Sequence, residues 1–301
     1  MSGAAIEVSD LRKSYGDVEA VRGVSFEVHQ GDVFCLLGPN GAGKTTIVEI
    51  LEGYRSRSSG KVSVLGEDPA DSSRRLRDRV GIVLQECGVQ PDLTVAELVE
   101  MYGRYYRHRR PVDEVIRIVE LEEKRDTRAN GLSGGQRRRL DLALALVGDP
   151  DLIFLDEPTT GFDPAARRHA WGTVKSLCEL GKTVFLTTHY MDEAQALADR
   201  VAVVNAGQII ASGRPHELGG RDTRPAQIRF VLPAGVEPEE LPDMAVERRE
   251  VDGDHVLLVT VEPTRVTHAV TGWALERGVE LENFSVAQPT LEDIYLELTG
   301  S

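Results

Sequence analysis

The sequence predicts an α/β fold: a core of buried parallel strands with an antiparallel β subdomain and a helical insert, followed by a small α+β C-terminal domain. Short apolar runs of strand length alternate with helical patterns through most of the chain, which is typical of a parallel sheet. From about residue 221 the composition shifts to Pro, Glu and Arg, which indicates a boundary. We therefore expect domains at residues 1–220 and 225–301, with the insert at about 86–140.

Length and composition favour a folded, water-soluble protein. The chain has 301 residues with an ordinary apolar fraction of 41%. Its net charge of -14 argues against a general DNA- or RNA-coating role. Three cysteines without paired spacing indicate a reducing, cytoplasmic setting. No apolar stretch is long enough to cross a bilayer, so at a membrane we expect another chain to do the crossing.

An antiparallel β subdomain is predicted at the N-terminus. Residues 6–8 and 24–28 alternate between apolar and polar types, and a turn pattern at residues 15–17 separates them. Tyr15 lies beside the hairpin glycine and has two interpretations. It could stack on an adenine ring, or it could be an ordinary half-exposed aromatic, which is the better choice for this residue taken alone.

A phosphate-binding loop is predicted directly after the apolar run at residues 33–37. The loop consists of Gly38, Pro39, Asn40, Gly41, Ala42, Gly43, Lys44, Thr45 and Thr46. Its glycines let successive N–H groups converge on phosphate oxygens, Lys44 adds a cation, and Thr45 offers a hydroxyl to Mg²⁺. The apolar run before the loop fits a strand buried on both faces, and a helical pattern follows it. These residues predict a P-loop NTPase core.

The middle of the chain is predicted to be the helical insert. A strand pattern at residues 80–85 ends in Gln85, which by itself is more often a surface residue. A capping box then opens a helix at Thr94, an aromatic and basic run covers residues 102–110, and a second amphipathic helix is expected over residues 112–121. The basic run could contact RNA, but a solvated face or a protein-docking surface is more consistent with an acidic chain.

Two kinds of chemistry lie side by side between residues 132 and 164. The first is a helix N-terminus suited to an anion, formed by Leu132, Ser133, Gly134, Gly135 and Gln136. The second is the pair Asp156 and Glu157 at the end of a buried strand, where one acid could hold Mg²⁺ and the other could activate water. Phosphate binding beside a metal and a base points to nucleotide hydrolysis.

Two further polar residues follow in this domain. Asp163 lies in a turn that could serve only geometry. His189 comes just after a buried strand, where α/β sheets place ligands, although a capping or core histidine would be favoured in isolation. The remaining pattern predicts a helix at residues 165–180, a strand at 183–188, another helix, a β pair at 201–204 and 208–211, and a turn at 211–213.

The C-terminal region predicts a small β-α-β domain with no metal or nucleophile constellation. The expected elements are strands at residues 227–232, 255–261 and 279–286, a helix at 264–277, and a closing helix at 291–298 capped by Thr290. Its acidic residues are expected to lie at the surface.

With these motifs in this order, the chain resembles the ATP-binding subunit of an ABC transporter over its whole length. The pentapeptide at residues 132–136 in front of the acidic strand is much more specific than a P-loop alone. Residues 158–164 and the tail at 288–295 are similar to the drug- and antibiotic-export branch, whose membrane partners are separate polypeptides. Phe162 departs from the family pattern, in which leucine is commoner.

The resemblance implies ATP and Mg²⁺ as cofactors and assigns roles to the residues above. Nucleotide binding is implied for Tyr15, which would stack on adenine, for the loop from Gly38 to Thr46, and for Ser133, Gly134, Gly135, Gln136 and Asp163. Metal binding is implied for Thr45, Gln85 and Asp156. Catalysis is implied for Glu157 as general base, for His189 at the γ-phosphate, and for Lys44 and Gln85.

The resemblance also implies partners. Residues 133–135 would serve the nucleotide of a second ATP-binding subunit in a head-to-tail dimer, expected to be a homodimer. A separate permease would dock on the helical insert and hold the protein at the cytoplasmic face of the cell membrane, with no nucleic acid involved. Two alternatives stay open: a soluble ABC ATPase acting on nucleic acid or ribosomes, and the ATPase of an importer.

Overall fold

The fold is known from a computed structural model that describes residues 3–83, 88–218, 224–233, 235–288 and 293–295. The chain divides into two compact units, residues 1–215 and 216–301. Both contain helices and strands, and the predicted α/β class is confirmed. None of the helices in the described residues is both long and apolar enough to pass through a bilayer.

The first unit contains two sheets. Its strands are β1 (Ala4–Tyr15), β2 (Val18–His29), β3 (Val33–Leu37), β4 (Ser59–Val64), β5 (Val80–Val83), β6 (Leu152–Asp156), β7 (Thr183–Thr188), β8 (Arg200–Asn205) and β9 (Gln208–Gly213). Strands β2, β1 and β4 form the predicted antiparallel subdomain. The central sheet has the order β5-β6-β7-β3-β8-β9, and only β9 runs antiparallel to its neighbour.

Seven α-helices connect these strands within the described residues. They are α1 (Lys44–Leu51), α2 (Arg74–Arg77), α3 (Val95–Gly103), α4 (Val112–Ile118), α5 (Gly134–Leu146), α6 (Pro164–Glu179) and α7 (Met191–Leu197). Helix α3 begins with the predicted capping box, in which the Thr94 hydroxyl accepts from the N–H of Glu97 and the Glu97 carboxylate accepts from that of Thr94. Helices α3, α4 and α5 occupy the predicted insert.

An aromatic cluster joins the two sheets. Phe34 on β3 and Phe185 on β7 stack with ring centroids 5.4 Å apart. Phe26 on β2 lies 5.2 Å from Phe34, and Phe154 on β6 lies 5.5 Å from Phe185. Consecutive residues of β3, β6 and β7 are buried, so both faces of the central sheet are covered along these strands.

The sheet order brings the ends of β3, β6 and β7 together. Leu37 pairs with Thr188, and Asp156 pairs with Thr187. Parallel strands present their carboxyl ends at one edge, so the loops that follow these three strands meet there. The P-loop, the acidic pair and His189 therefore share one site.

Within its described residues, the second unit has a four-stranded antiparallel sheet packed with a helix. Its elements are β10 (Ala226–Val231), β11 (Arg248–Asp252), β12 (His255–Thr260), α8 (Pro263–Arg277) and β13 (Glu282–Ala287), with the strand order β11-β12-β10-β13. Its core includes Ile228, Leu258, Val270 and Trp273. Of the predicted closing helix, only residues 293–295 belong to the described part of the chain.

Four details of the sequence prediction are wrong. The tail has a fourth strand, β11, which was missed because all its residues are exposed and charged residues dominate it. The predicted turn at residues 211–213 belongs to β9. Helix α3 ends at Gly103, so most of the basic run lies in turns, and α4 ends at Ile118 rather than at residue 121.

Three of the four arginines in this basic run pair with acids of the same chain. Arg104 and Arg109 contact Glu100 at 3.3 and 3.0 Å, and Arg110 contacts both Glu114 and Asp149. Such pairs favour the interpretation of the run as a structural surface over its interpretation as an RNA contact.

We expect Phe185→Ala to lower the free energy of unfolding of the first unit by about 3–5 kcal/mol, because it leaves a cavity among three aromatic rings. Chemical denaturation measures the loss. The control Val18→Ala, at a side chain that is 66% exposed, should change it by less than about 0.5 kcal/mol. Equal effects of the two substitutions would show that the cluster does not hold the sheets together.

Candidate functional site

Close backbone packing fixes the shape of the predicted phosphate loop. A Cβ atom at Gly43 would lie 2.6 Å from the carbonyl oxygen of Ala20, and the φ of Gly43 is 103°, so only glycine fits there. A Cβ atom at Gly38 would lie 2.3 Å from the carbonyl oxygen of Val204. The N–H of Gly207 donates to the carbonyl of Ala42 at 3.0 Å. The loop is therefore held against β2 and β8.

Lys44 spans this loop from inside. Its side chain is 5% exposed, and Nζ donates to the carbonyl oxygens of Gly38 at 2.7 Å and Pro39 at 3.1 Å. Nζ also lies 3.5 Å from Oε1 of Glu157. One buried cation thus connects the phosphate loop with the acidic pair.

Glu157 is the residue on which the surrounding segments converge. The Thr160 hydroxyl donates to Oε2 at 3.0 Å, and Nδ1 of His189 lies 3.3 Å from the same oxygen. Burial alone would raise the pKa of Glu157, but Thr160, Lys44 and His189 together outweigh it and hold the pKa below its ordinary value. The carboxylate is therefore ionised at neutral pH, as a general base requires.

Thr187 organises both acids, and the sequence analysis did not single it out. Its hydroxyl donates to Oδ1 of Asp156 at 2.5 Å and accepts from the backbone N–H of Glu157 at 3.1 Å. Thr187 is fully buried in β7, beside β6. The partners of Thr187 lie at the end of β6, and the sequence does not show that β6 and β7 are neighbours. The only sequence signal for Thr187 is that it carries a hydroxyl two positions before His189.

A third acid, Glu52, lies close enough to affect this pair. Burial, followed by the charges of Asp156 and Glu49, raises the pKa of Glu52 to about 8. At neutral pH this side chain is therefore largely protonated, so it adds little negative charge beside Asp156. The sequence analysis did not identify Glu52 either.

The helix α5 begins as the sequence predicts. Ser133 and Gln136 form a capping box, in which the N–H of Gln136 donates to the Ser133 hydroxyl and the N–H of Ser133 donates to Oε1 of Gln136. Apart from adjacent residues and the backbone of α5 itself, no atom of the described residues lies within 4 Å of where a Cβ would stand at Gly134 or Gly135. This N-terminus therefore has an open surface beside its two glycines.

Arg138 ties this helix to the acidic strand. Its guanidinium donates to the carbonyl oxygens of Asp156 at 3.1 Å and Pro158 at 3.3 Å. The sequence showed only a basic cluster after the pentapeptide. Arg138 therefore couples the position of α5 to the residues on either side of Glu157.

A cavity of about 1190 Å³ opens between these features. Gly134, Gly135, Glu157, Thr160 and Asp163 are among its lining residues. The carboxylate of Asp163 also caps α6, accepting from the N–H groups that follow Pro164. Asp163 thus has a structural role besides the nucleotide contact that the resemblance implies.

The remaining predicted residues lie in different settings. Tyr15 is 40% exposed at the end of β1, with the cations of Lys13 and Arg55 5.1 and 5.3 Å from its ring centroid. Thr45 is exposed in the first turn of α1. Gln85 lies outside the described residues.

The oxygen donors at this site suit a hard cation. The hydroxyl of Thr45 and the carboxylate of Asp156 are the ligand types that Mg²⁺ prefers. Thr187 already holds the Asp156 carboxylate in place, and α1 carries Thr45 directly after the loop lysine. The residues present therefore fit ATP with Mg²⁺.

Comparisons with known proteins find matches to both units of the chain. Residues 21–160 match the family described as "ABC transporter", and residues 226–290 match one described as "ABC transporter domain-containing protein-like, C-terminal domain". The Nod factor export ATP-binding protein I of Rhizobium sp. (strain N33) is 41% identical over 308 residues, which cover 100% of this chain and 98% of the relative.

Solved structures of nucleotide-binding proteins share the fold. The ADP conformation of MJ1267, an ATP-binding cassette of an ABC transporter, is 26% identical with a TM-score of 0.64, covering 72% of this chain and 93% of that one. A dimeric post-hydrolysis state of the ATP-binding cassette MJ0796, bound to ADP and Pi, is 25% identical with a TM-score of 0.61, covering 69% and 98%.

We expect Thr187→Val to lower the ATP turnover number about 10- to 100-fold, because it removes the hydroxyl that hydrogen-bonds to the Asp156 carboxylate and to the backbone N–H of Glu157. Steady-state ATPase assays measure the loss. Thr183→Val at the other end of β7 removes a hydroxyl that accepts from the N–H of Gly31, so it should affect stability but not turnover. Wild-type turnover in Thr187→Val would show that this hydroxyl does not position the acids.

Proposed function

This chain belongs to the ABC transporter family as an ATP-binding, ATP-hydrolysing subunit, and we propose that it drives export of a drug, antibiotic or lipid-like compound through a separate permease. The observation that carries the proposal is the convergence of Lys44, Thr160 and His189 on the buried carboxylate of Glu157. Export is supported by the relatives, which are named as export proteins.

The P-loop residues bind the ATP phosphates in this proposal. The backbone of the loop around Gly41 and Gly43 surrounds the phosphate oxygens, and Lys44 supplies a positive charge to them. Thr45, Gln85 and Asp156 would hold Mg²⁺, which would supply positive charge to neutralise the charge that develops on the phosphates. Tyr15 stacks on the adenine ring.

Glu157 acts as the general base. It accepts a proton from a water molecule whose oxygen forms a bond to the γ-phosphorus, while the bond from that phosphorus to the β–γ bridging oxygen breaks. The products are ADP and inorganic phosphate. His189 contacts the γ-phosphate, and its position beside Oε2 of Glu157 supports this role.

The active arrangement is a head-to-tail homodimer with ATP between the subunits. Ser133, Gly134 and Gly135 of one subunit bind the nucleotide held by the P-loop of the other, together with Gln136 and Asp163. The open surface at the two glycines supports this contact. Closure on ATP and release after hydrolysis supply the free-energy difference that shifts the permease between its states.

The helical insert is the docking surface for the permease. A groove of about 370 Å³ lies beside the insert, and its lining includes Tyr102 and Tyr106 from the insert, Leu144 from α5, and Glu52 and Tyr54 from the core. Tyr54 is 71% exposed, which suits a partner contact. Docking there holds the protein at the cytoplasmic face of the membrane.

Transport in inverted membrane vesicles tests the whole proposal. The permease is first identified by co-purification with the chain from native membranes. ATP-dependent accumulation of the candidate compound inside inverted vesicles supports export, whereas ATP-dependent loss from preloaded vesicles supports the importer alternative. A salt-sensitive affinity for nucleic acid at physiological ionic strength, without transport, would instead favour a soluble ABC ATPase.

We expect Glu157→Gln to keep ATP binding but reduce turnover at least about 100-fold, because the amide cannot accept the proton from water. ATP-dependent dimers should accumulate and are measured by size-exclusion chromatography with ATP. An unchanged turnover number would remove Glu157 from the role of base.

We expect Lys44→Ala to weaken ATP binding at least about tenfold, because it removes a buried charge that connects the loop carbonyls to the phosphates. Equilibrium binding of a fluorescent ATP analogue measures the change. Lys175→Ala on helix α6 is a control for the loss of a lysine charge away from the loop. Wild-type affinity in Lys44→Ala would contradict the assignment of the loop.

A further inference from the structure

Glu193 is a fully buried acid behind the catalytic residues. It lies in α7 with 0% exposure, and Oε1 accepts from the Thr159 hydroxyl at 2.9 Å and from Nε1 of Trp171 at 3.1 Å. Burial raises the pKa of Glu193 and outweighs the hydrogen bonds from Thr188, Thr159 and Trp171, which favour the charged form. A carboxyl group with these partners connects three segments: the loop after Glu157, helix α6, and the end of β7.

The first connection leads from Glu193 to Glu157 through the loop. Thr159 is 1% exposed and is the buried anchor of this loop. The next residue, Thr160, donates its backbone N–H to the carbonyl of Glu157 at 3.2 Å and its hydroxyl to Oε2 at 3.0 Å. A displacement of Thr159 therefore displaces the hydroxyl that orients the carboxylate.

The second connection leads from Glu193 to the same carboxylate through His189. The Thr188 hydroxyl hydrogen-bonds to the Glu193 carboxylate and accepts from the backbone N–H of Tyr190 at 3.0 Å, so Glu193 is connected to the residues on both sides of His189. The Tyr190 ring lies 4.0 Å from the His189 ring, and the Arg167 guanidinium lies 4.0 Å from the centroid of Tyr190. His189 in turn lies 3.3 Å from Oε2 of Glu157.

The two connections close a ring of contacts through Glu157 and Glu193. We propose that Glu193 is a positioning residue for ATP hydrolysis, which fixes the distance between Thr160 and His189 where both meet Oε2 of Glu157. This inference rests on the proposed roles of Glu157 and His189. Among the described residues, the side-chain hydrogen bonds of Glu193 go to Thr159, Trp171 and Thr188 rather than to the P-loop, so we expect its effect on turnover rather than on ATP affinity.

Three substitutions in the full-length chain test this role. Glu193→Met removes the hydrogen bonds accepted from Thr159, Trp171 and Thr188 and should lower kcat about tenfold or more while KM for ATP stays within about twofold. Glu193→Gln keeps an oxygen that can accept from Thr159 and Trp171, so it should recover most of the lost kcat. Trp171→Phe removes only the N–H donor and should lower kcat by a smaller factor.

A coupling measurement separates positioning from a merely structural role. Combined with Glu193→Met, Thr159→Val should lower kcat no further, because both act through the same connection; independent losses would multiply. All assays are run well below the thermal midpoint of each variant. Glu179→Gln, an exposed acid on α6, should leave kcat and KM unchanged.

A folded Glu193→Met variant with wild-type kcat, or multiplying losses with Thr159→Val, would overturn the inference. If Glu193→Met does not fold, Glu193→Gln and Trp171→Phe test the inference in its place. A wild-type kcat in Trp171→Phe together with a tenfold loss of kcat in Glu193→Gln would overturn the positioning role of Glu193. Full activity of Glu157→Gln would instead overturn the proposed function, so the two failures are distinguishable.

Discussion

One buried carboxylate, that of Glu157, sets the geometry of the site. Three segments that are far apart in sequence contact it through Lys44, Thr160 and His189. They meet because β3, β6 and β7 are neighbours in a parallel sheet and end at the same edge. A change in the order or register of these strands would separate the phosphate loop from the Glu157 carboxylate.

Electrostatics explains how three acids stand close together at this edge. The Thr187 hydroxyl donates a hydrogen bond to the Asp156 carboxylate. Burial would raise the pKa of Glu157, but Thr160, Lys44 and His189 outweigh burial and lower it. Glu52 adds little repulsion between like charges, because burial and the charge of Asp156 raise its pKa to about 8 and keep it largely protonated at neutral pH. The Glu157 carboxylate is therefore ionised at neutral pH, while the largely protonated Glu52 adds little negative charge beside Asp156.

The sequence predicted the parts of the site that are local in the chain. The loop ending in Lys44 and the capping box at Ser133 are set by consecutive residues, and the structure reproduces the capping box. Thr187 and Glu193 could not be predicted, because their partners come from neighbouring strands and helices. Strand β11 was missed for another reason: an exposed, charged edge strand lacks the apolar alternation by which strands are recognised.

We propose that Glu157 acts on the ATP of its own chain and Ser133 on the ATP of the partner subunit. Within one chain, Glu157 and Gly134 line the same cavity, so the two arrangements need to be distinguished. Mixing two inactive variants, Glu157→Gln and Ser133→Arg, tests this proposal most directly by the ATPase activity of the mixture. The mixed dimer contains one site with an intact base, loop and helix N-terminus, so activity should reappear. If both residues served the ATP of their own chain, each site of the mixed dimer would carry one of the two substitutions. Mixing would then restore no activity.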